Sequence, residues 1–162
     1  MNLRMYRPDD AEVLAGIYQD AVRTIGPQAY DEKQIEAWAR SPEDLDRFRL
    51  VLSLGVTLIA EEDGDAIAFG QFCPPDHLSL LYCRGRAARR GVGSLIYDEL
   101  ERRAIAGGAG EIRLEASHIS RPLFEKKGFK LVSVETSVFK GVEFKRFIMS
   151  KDLVQPWPPG DG

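Results

Sequence analysis

Leu78-Ser79-Leu80-Leu81-Tyr82-Cys83-Arg84-Gly85-Arg86-Ala87-Ala88-Arg89-Arg90-Gly91-Val92-Gly93-Ser94-Leu95-Ile96 carries the reading of this chain. An apolar run long enough for a buried strand gives way to an arginine-rich loop. The loop passes through Gly-x-Gly into a helical pattern, with Val92, Leu95, Ile96, Leu100 and Ala104 on one face and Asp98, Glu99, Arg102 and Arg103 mostly elsewhere. Gly107-Gly108 stops that helix, and Glu111 to Ala116 alternates as a strand. Strand, helix, strand over Leu78–Ala116 is a βαβ crossover, so it predicts a parallel strand pair.

Outward from this core, the remaining segments read as antiparallel strands and covering helices. Leu3 and Met5 alternate as a short strand, and Pro8-Asp9-Asp10 offers an Asp as helix N-cap. A helix from Ala11 to about Thr24 follows, ended by Gly26-Pro27, with Val13, Leu14, Ile17, Tyr18, Ala21, Val22 and Ile25 at helical spacing. A second short helix carries Ile35 and Trp38. Ser41-Pro42-Glu43-Asp44 reads as the cap of a third, with Ser at N-cap and Pro at N1, and Leu45, Phe48 and Leu52 form its apolar face. Val56–Ala60 and Ala66–Phe72 form a hairpin about Asp63-Gly64. A short helix over Ser117–Lys127 closes at Gly128, and two last strands turn at Lys140-Gly141. The expected fold class is α+β: a mixed, mostly antiparallel central sheet with a parallel central pair and flanking helices. Residues 1–153 are expected to form a single domain, and 154–162, rich in Pro, Gly and Asp, a flexible tail.

Composition narrows the class. The 162 residues hold 22 Lys+Arg against 25 Asp+Glu, a net charge of −3, which disfavours nucleic acid as a partner. Two cysteines and two histidines leave almost nothing for a structural zinc site or a disulfide framework, so no metal is expected. The N-terminus has no apolar core of a signal peptide, and the longest uncharged apolar stretch, Leu50 to Ala60, is too short to span a bilayer. The expectation is a cytoplasmic protein with no membrane partner.

Against that balance, Arg84, Arg86, Arg89 and Arg90 fall within seven residues. A helix N-terminus leaves backbone N–H groups unsatisfied, glycines permit close approach, and arginine forks suit phosphate. Together they favour an anion such as a pyrophosphate. The dinucleotide fingerprint fails because Ile96 stands where its third glycine belongs, and the Walker Gly-Lys-Ser/Thr is missing. An ordinary connective turn with solvated arginines is the competing reading.

Leu81 to Glu101 resembles the strand, Gln/Arg-x-x-Gly-x-Gly/Ala loop and helix of the GNAT superfamily of acyl-CoA-dependent N-acetyltransferases. Ala116-Ser117-His118-Ile119-Ser120-Arg121-Pro122-Leu123-Phe124-Glu125-Lys126-Lys127-Gly128-Phe129 is similar to a second block of that family. The resemblance implies acetyl-CoA as acyl donor and an amine of a small molecule or peptide as acceptor, in a monomer or homodimer. It implies that backbone groups of Leu81, Tyr82 and Cys83 pair with pantetheine. It further implies that Ala88, Arg89, Arg90, Gly91, Val92, Gly93 and Ser94 cradle the pyrophosphate, with Ser117 and Phe124 bordering the cofactor.

Two positions depart from the family. Ala88 replaces the usual Gln or Arg, which removes one side-chain contact. Phe124 replaces a frequent Tyr general acid and has no proton to give; it sits where Phe129, beyond Gly128, can pack on it in a Schellman arrangement. Ser117, Tyr82 or water would then protonate the thiolate. His77, Asp76 through water, and Glu115 are the candidate general bases, and each also has a plain structural reading. Tyr30 and Trp38 are candidates for the acceptor pocket or for core. Two alternatives of other kinds stand beside the enzyme: an acyl-CoA-binding sensor without turnover, and a phosphorylated-nucleotide binder using the same loop.

Overall fold

The computed structural model describes residues 1–154. The expected tail therefore lies, from residue 155 on, outside the described residues. Seven strands form one sheet: β1 (Asn2–Met5), β2 (Val56–Glu62), β3 (Asp65–Cys73), β4 (His77–Cys83), β5 (Glu111–Ala116), β6 (Lys130–Phe139) and β7 (Val142–Asp152). Their order is β1-β2-β3-β4-β5-β7-β6, all antiparallel except the β4–β5 pair. Among the described residues five α-helices flank it: α1 (Ala11–Ile25), α2 (Glu32–Ala39), α3 (Leu45–Leu52), α4 (Val92–Ala106) and α5 (Arg121–Lys126).

The two faces of the sheet bury different cores. Leu14, Ile17 and Tyr18 of α1, with Phe48 and Leu52 of α3, cover Ile59 and Phe69. On the other face Ile96, Tyr97 and Leu100 of α4, with Phe124 and Phe129, cover Leu58, Ile67, Ile112, Leu114 and Met149. Gly70 lets α4 approach: a Cβ there would lie 2.8 Å from Ile96 Cγ2 and 3.2 Å from Leu100 Cδ1.

Several local expectations shift. The cap of α3 is Asp44, whose carboxylate accepts from Arg47 N–H at 3.1 Å, and not Ser41; Arg40 to Glu43 instead closes a turn, with Glu43 N–H bonded to Arg40 O and an Arg40–Glu43 ion pair. Asp10 stands at the N-cap position of α1 without capping it, because its carboxylate is taken by Arg4 at 2.7–2.8 Å and by Arg7 N–H. Val13 and Leu95 are exposed, and Tyr97 takes the buried place on α4. The α5 helix begins only at Arg121, after a turn at Ser117–Ser120.

The crossover that the sequence predicts has one special feature. The parallel strands meet at a single registered position, His77 opposite Arg113, beside an Arg113 N–H bond to Asp76 O at 2.7 Å. Beyond it β4 and β5 diverge. β5 pairs with β7 along its whole length, so only its β4 side opens.

Candidate active site

A cleft of about 250 Å³ follows this splay. Leu78 to Cys83 of β4 form one wall; Leu114, Glu115 and the Ser117–Phe124 segment form the other, with Ala21 and Val22 of α1 above and Gly93 at one end. The divergence leaves backbone groups of β4 on that side without a strand partner, as an extended ligand requires.

At the Gly93 end, α4 starts without a side-chain cap. Gly91, its N-cap, has φ +80°, a left-handed conformation that costs a side-chain-bearing residue about 1–2 kcal/mol. Arg89 also has positive φ, and a Cβ on Gly91 or Gly93 would meet nothing within 4 Å. The first-turn N–H groups thus face open space with the positive end of a fifteen-residue helix behind them.

The clustered arginines divide their work. Arg84 folds back, its Nε donating to Ala66 O at 3.1 Å, and Arg90 pairs with Glu62. Gly85 fits tightly against Thr24 and donates its N–H to Asp20 at 2.8 Å. Arg89 is exposed and, among the described residues, has no ion-pair partner. Two of the four arginines therefore serve the fold rather than the loop mouth.

A second cavity, of about 350 Å³, is lined by Tyr30 and Trp38 with residues from β4 to β7. It shares Trp38, Ser79, Tyr82, Glu115 and Ser117 with the first, so the two meet at one wall. His77 Nε2 and Glu115 Oε2 are 2.7 Å apart on this second cavity. The hydrogen bond to Glu115 pushes the His77 imidazole pKa up from 6.5, and the same bond pulls the Glu115 carboxyl below 4.5. Asp76 lines neither cavity; it sits 3.9 Å from Arg113.

Burial pushes the Tyr82 phenol well above its usual pKa of 10, which keeps it a hydrogen-bond donor and a poor acid. It packs at a tilt against Tyr18, ring centroids 4.1 Å apart, and Trp38 Nε1 donates to its hydroxyl at 3.4 Å. Ser117 lines both cavities, yet its hydroxyl is consumed in the turn. It accepts from the N–H groups of Ile119 and Ser120 and donates to Ser120 Oγ at 3.1 Å. Phe124 borders the first cleft and is buried between Tyr97 and Phe129, ring centroids 6.0 and 5.4 Å away. Phe129 N–H bonds to Phe124 O and Gly128 N–H to Glu125 O, the Schellman pattern. Tyr30 is both core and cavity wall: it is buried, accepts from His118 N–H at 2.9 Å and packs on Trp38.

Some lining residues give no sequence signal. Ser79 donates to the fully buried Gln71 at 2.6 Å, which in turn holds Val51 O. Phe139, Phe144 and Arg146 reach the second cavity only because β7 inserts between β5 and β6. Among the described residues no group of three or more His, Cys, Asp or Glu gathers as a metal site, and no helix is long and apolar enough to cross a membrane.

Comparison with known proteins agrees with this fold. Residues 27–151 match the acetyltransferase (GNAT) domain family. The N-acetyltransferase YafP of Escherichia coli K12, itself uncharacterized, is 27% identical over 149 residues, covering 92% of this chain and 94% of that one. The crystal structure of a GCN5-related N-acetyltransferase from Rhodopseudomonas palustris is 34% identical, with a TM-score of 0.91 over 94% of this chain and 95% of that one. A PaiA N-acetyltransferase from Thermoplasma acidophilum, solved with coenzyme A, shares the fold at 21% identity and a TM-score of 0.74, over 94% of this chain and 100% of that one.

Proposed function

The chain belongs to the GNAT family of acetyltransferases, and from that footing we propose that it moves an acetyl group from acetyl-CoA to an amine by direct attack on the thioester. The observation that carries this is the junction of two cavities at Trp38, Ser79, Tyr82, Glu115 and Ser117, with an uncapped helix N-terminus at the far end of one of them. Acetyl-CoA is a substrate in this scheme. Its extended arm fits the cleft along Leu81, Tyr82 and Cys83, and its pyrophosphate fits the N–H groups from Arg89 to Ser94. Arg90, paired with Glu62, contributes backbone there rather than charge.

The acceptor amine enters from the second cavity. Its nitrogen forms a bond to the thioester carbonyl carbon, the C–S bond breaks, and coenzyme A leaves as thiolate. A thiol pKa of about 8.5 lets the thiolate depart without Phe124 supplying a proton. A β4 N–H left unpaired by the splay stabilises the developing oxyanion. The proton shed by nitrogen passes to the neutral form of His77, which Glu115 orients and then stabilises as imidazolium.

Titration calorimetry with acetyl-CoA tests the donor site, and thiol release across an amine panel tests turnover. No binding at millimolar acetyl-CoA overturns the reading. Binding without thiol release from any amine would favour a sensor.

A further inference from the structure

We propose that the acceptor is a small amine that also carries a carboxylate and an aromatic body, as an aromatic amino acid does, and that Arg146 holds its carboxylate. This rests on the acetyl-transfer reading above and extends it to substrate class.

The walls of the second cavity argue for the aromatic body. Tyr30 packs edge-on against Trp38 at 5.2 Å and lies 6.2 Å from Phe144, a continuous surface of three rings. A cavity of about 350 Å³ admits one ring system and its polar end. Aromatic pairs gain beyond their buried area when offset or edge-on, and this surface presents one edge-on and one tilted pair.

The charged end argues for a carboxylate beside the amine. Register pairs Ala116 with Phe147 and Glu115 with Ile148, so Glu115 and Arg146 lie diagonally on the same sheet face. Such diagonal positions are about 7–8 Å apart at the backbone, within reach of a long guanidinium. Arg146 is close enough for its charge to act on the Glu115 carboxyl. It is also pre-set: Nε donates to Glu135 at 2.9 Å, and Nη2 pairs with the same oxygen. Nη1 has no partner among the described residues, so one edge of the fork remains for a ligand.

Charge balance argues against a polycation. Among the described residues lining the cavity, His77, Lys145 and Arg146 are basic or titratable to cations and Glu115 is the one acid, with Glu135 beside it holding Arg146. Lys145 has no ion-pair partner among the described residues. A polyamine would meet one carboxylate already bonded to His77, whereas an amino acid matches both signs.

The test compares L-phenylalanine, phenethylamine and spermidine as acceptors of acetyl-CoA. Each is also titrated into the protein saturated with coenzyme A. Expected is a kcat/KM for phenylalanine at least tenfold above phenethylamine and spermidine, with binding in the same order. Arg146→Gln should bring the phenylalanine-to-phenethylamine ratio to within about threefold of one. Equal use of phenylalanine and phenethylamine, a preference for spermidine, or a ratio unmoved in folded Arg146→Gln overturns the proposal. Failure to bind acetyl-CoA overturns the transfer reading and this one together. Acetyl-CoA binding without turnover leaves the titrations to decide: no preference for phenylalanine over phenethylamine overturns the substrate class alone.

Discussion

His77 and Glu115 reach each other at 2.7 Å although 38 residues separate them, because His77 sits opposite Arg113 at the one registered position of the parallel pair and Glu115 is two residues further along β5. The bond thus spans the point where the strands part. It lies where the first cleft meets the second cavity, and it raises the His77 pKa while lowering that of Glu115.

That pairing has a definite pH signature. The raised His77 pKa contributes stability that is present below 6.5 and lost as pH rises through the folded value. The lowered Glu115 pKa contributes stability that is present above 4.5 and lost as pH falls through its folded value. Both contributions are complete between 4.5 and 6.5, and solvent screening keeps them small because both groups are about a third or more exposed. The proposed route uses the neutral imidazole, so on it kcat/KM should climb with pH through an apparent pKa above 6.5. In Glu115→Gln that limb should move to lower pH; a pH–rate profile that stays in place removes His77 from the proton path.

The loop at the start of α4 separates into backbone and charge effects. Gly93 is helical with open space before it, so Gly93→Glu adds a carboxylate without backbone strain. It should weaken acetyl-CoA at least tenfold by calorimetry while leaving Tm within a few degrees. Gly91→Glu adds the φ +80° penalty of about 1–2 kcal/mol, so it should lose both affinity and Tm. Unchanged affinity in either folded variant would remove the loop from the donor site.

Phe124 is first a packing residue. Truncating it to Ala removes a ring held by Tyr97 and Phe129 and should cost about 3–5 kcal/mol, read by denaturant unfolding. Phe124→Tyr should leave kcat within about threefold if the thiolate departs unaided. A larger rise would show that a missing acid limits turnover.

Gly70 sets the distance between sheet and helix. Gly70→Val would press on Ile96, Leu81 and Leu100 in a filled core, and should destabilise by about 1–3 kcal/mol, with a matching loss of Tm. A neutral result would mean that α4 can move outward freely.

Most of the architecture is legible along the chain because its signals are local. Alternation at Ile112 and Leu114, the Asp63-Gly64 turn, the Gly107-Gly108 stop and the Gly128 closure depend on neighbours within a few residues. The Phe124–Phe129 contact belongs to this class, since a Schellman cap fixes it within six residues. Local signals leave the cap of α3 open because Ser41 and Asp44 are both good caps, and only the Arg40–Glu43 turn chooses between them.

The element order, the parallel crossover and a glycine-rich helix start suited to an anion can thus be read along the chain. Tertiary structure alone decided what surrounds it. It committed Arg84 and Arg90 to the fold, joined His77 to Glu115, and inserted β7 beside β5 so that Arg146 and Phe144 reach the second cavity. The physical reason is range. Turn and periodicity signals act within one element, whereas a pairing between strands distant in sequence depends on how whole faces are buried, and no neighbouring residue encodes it.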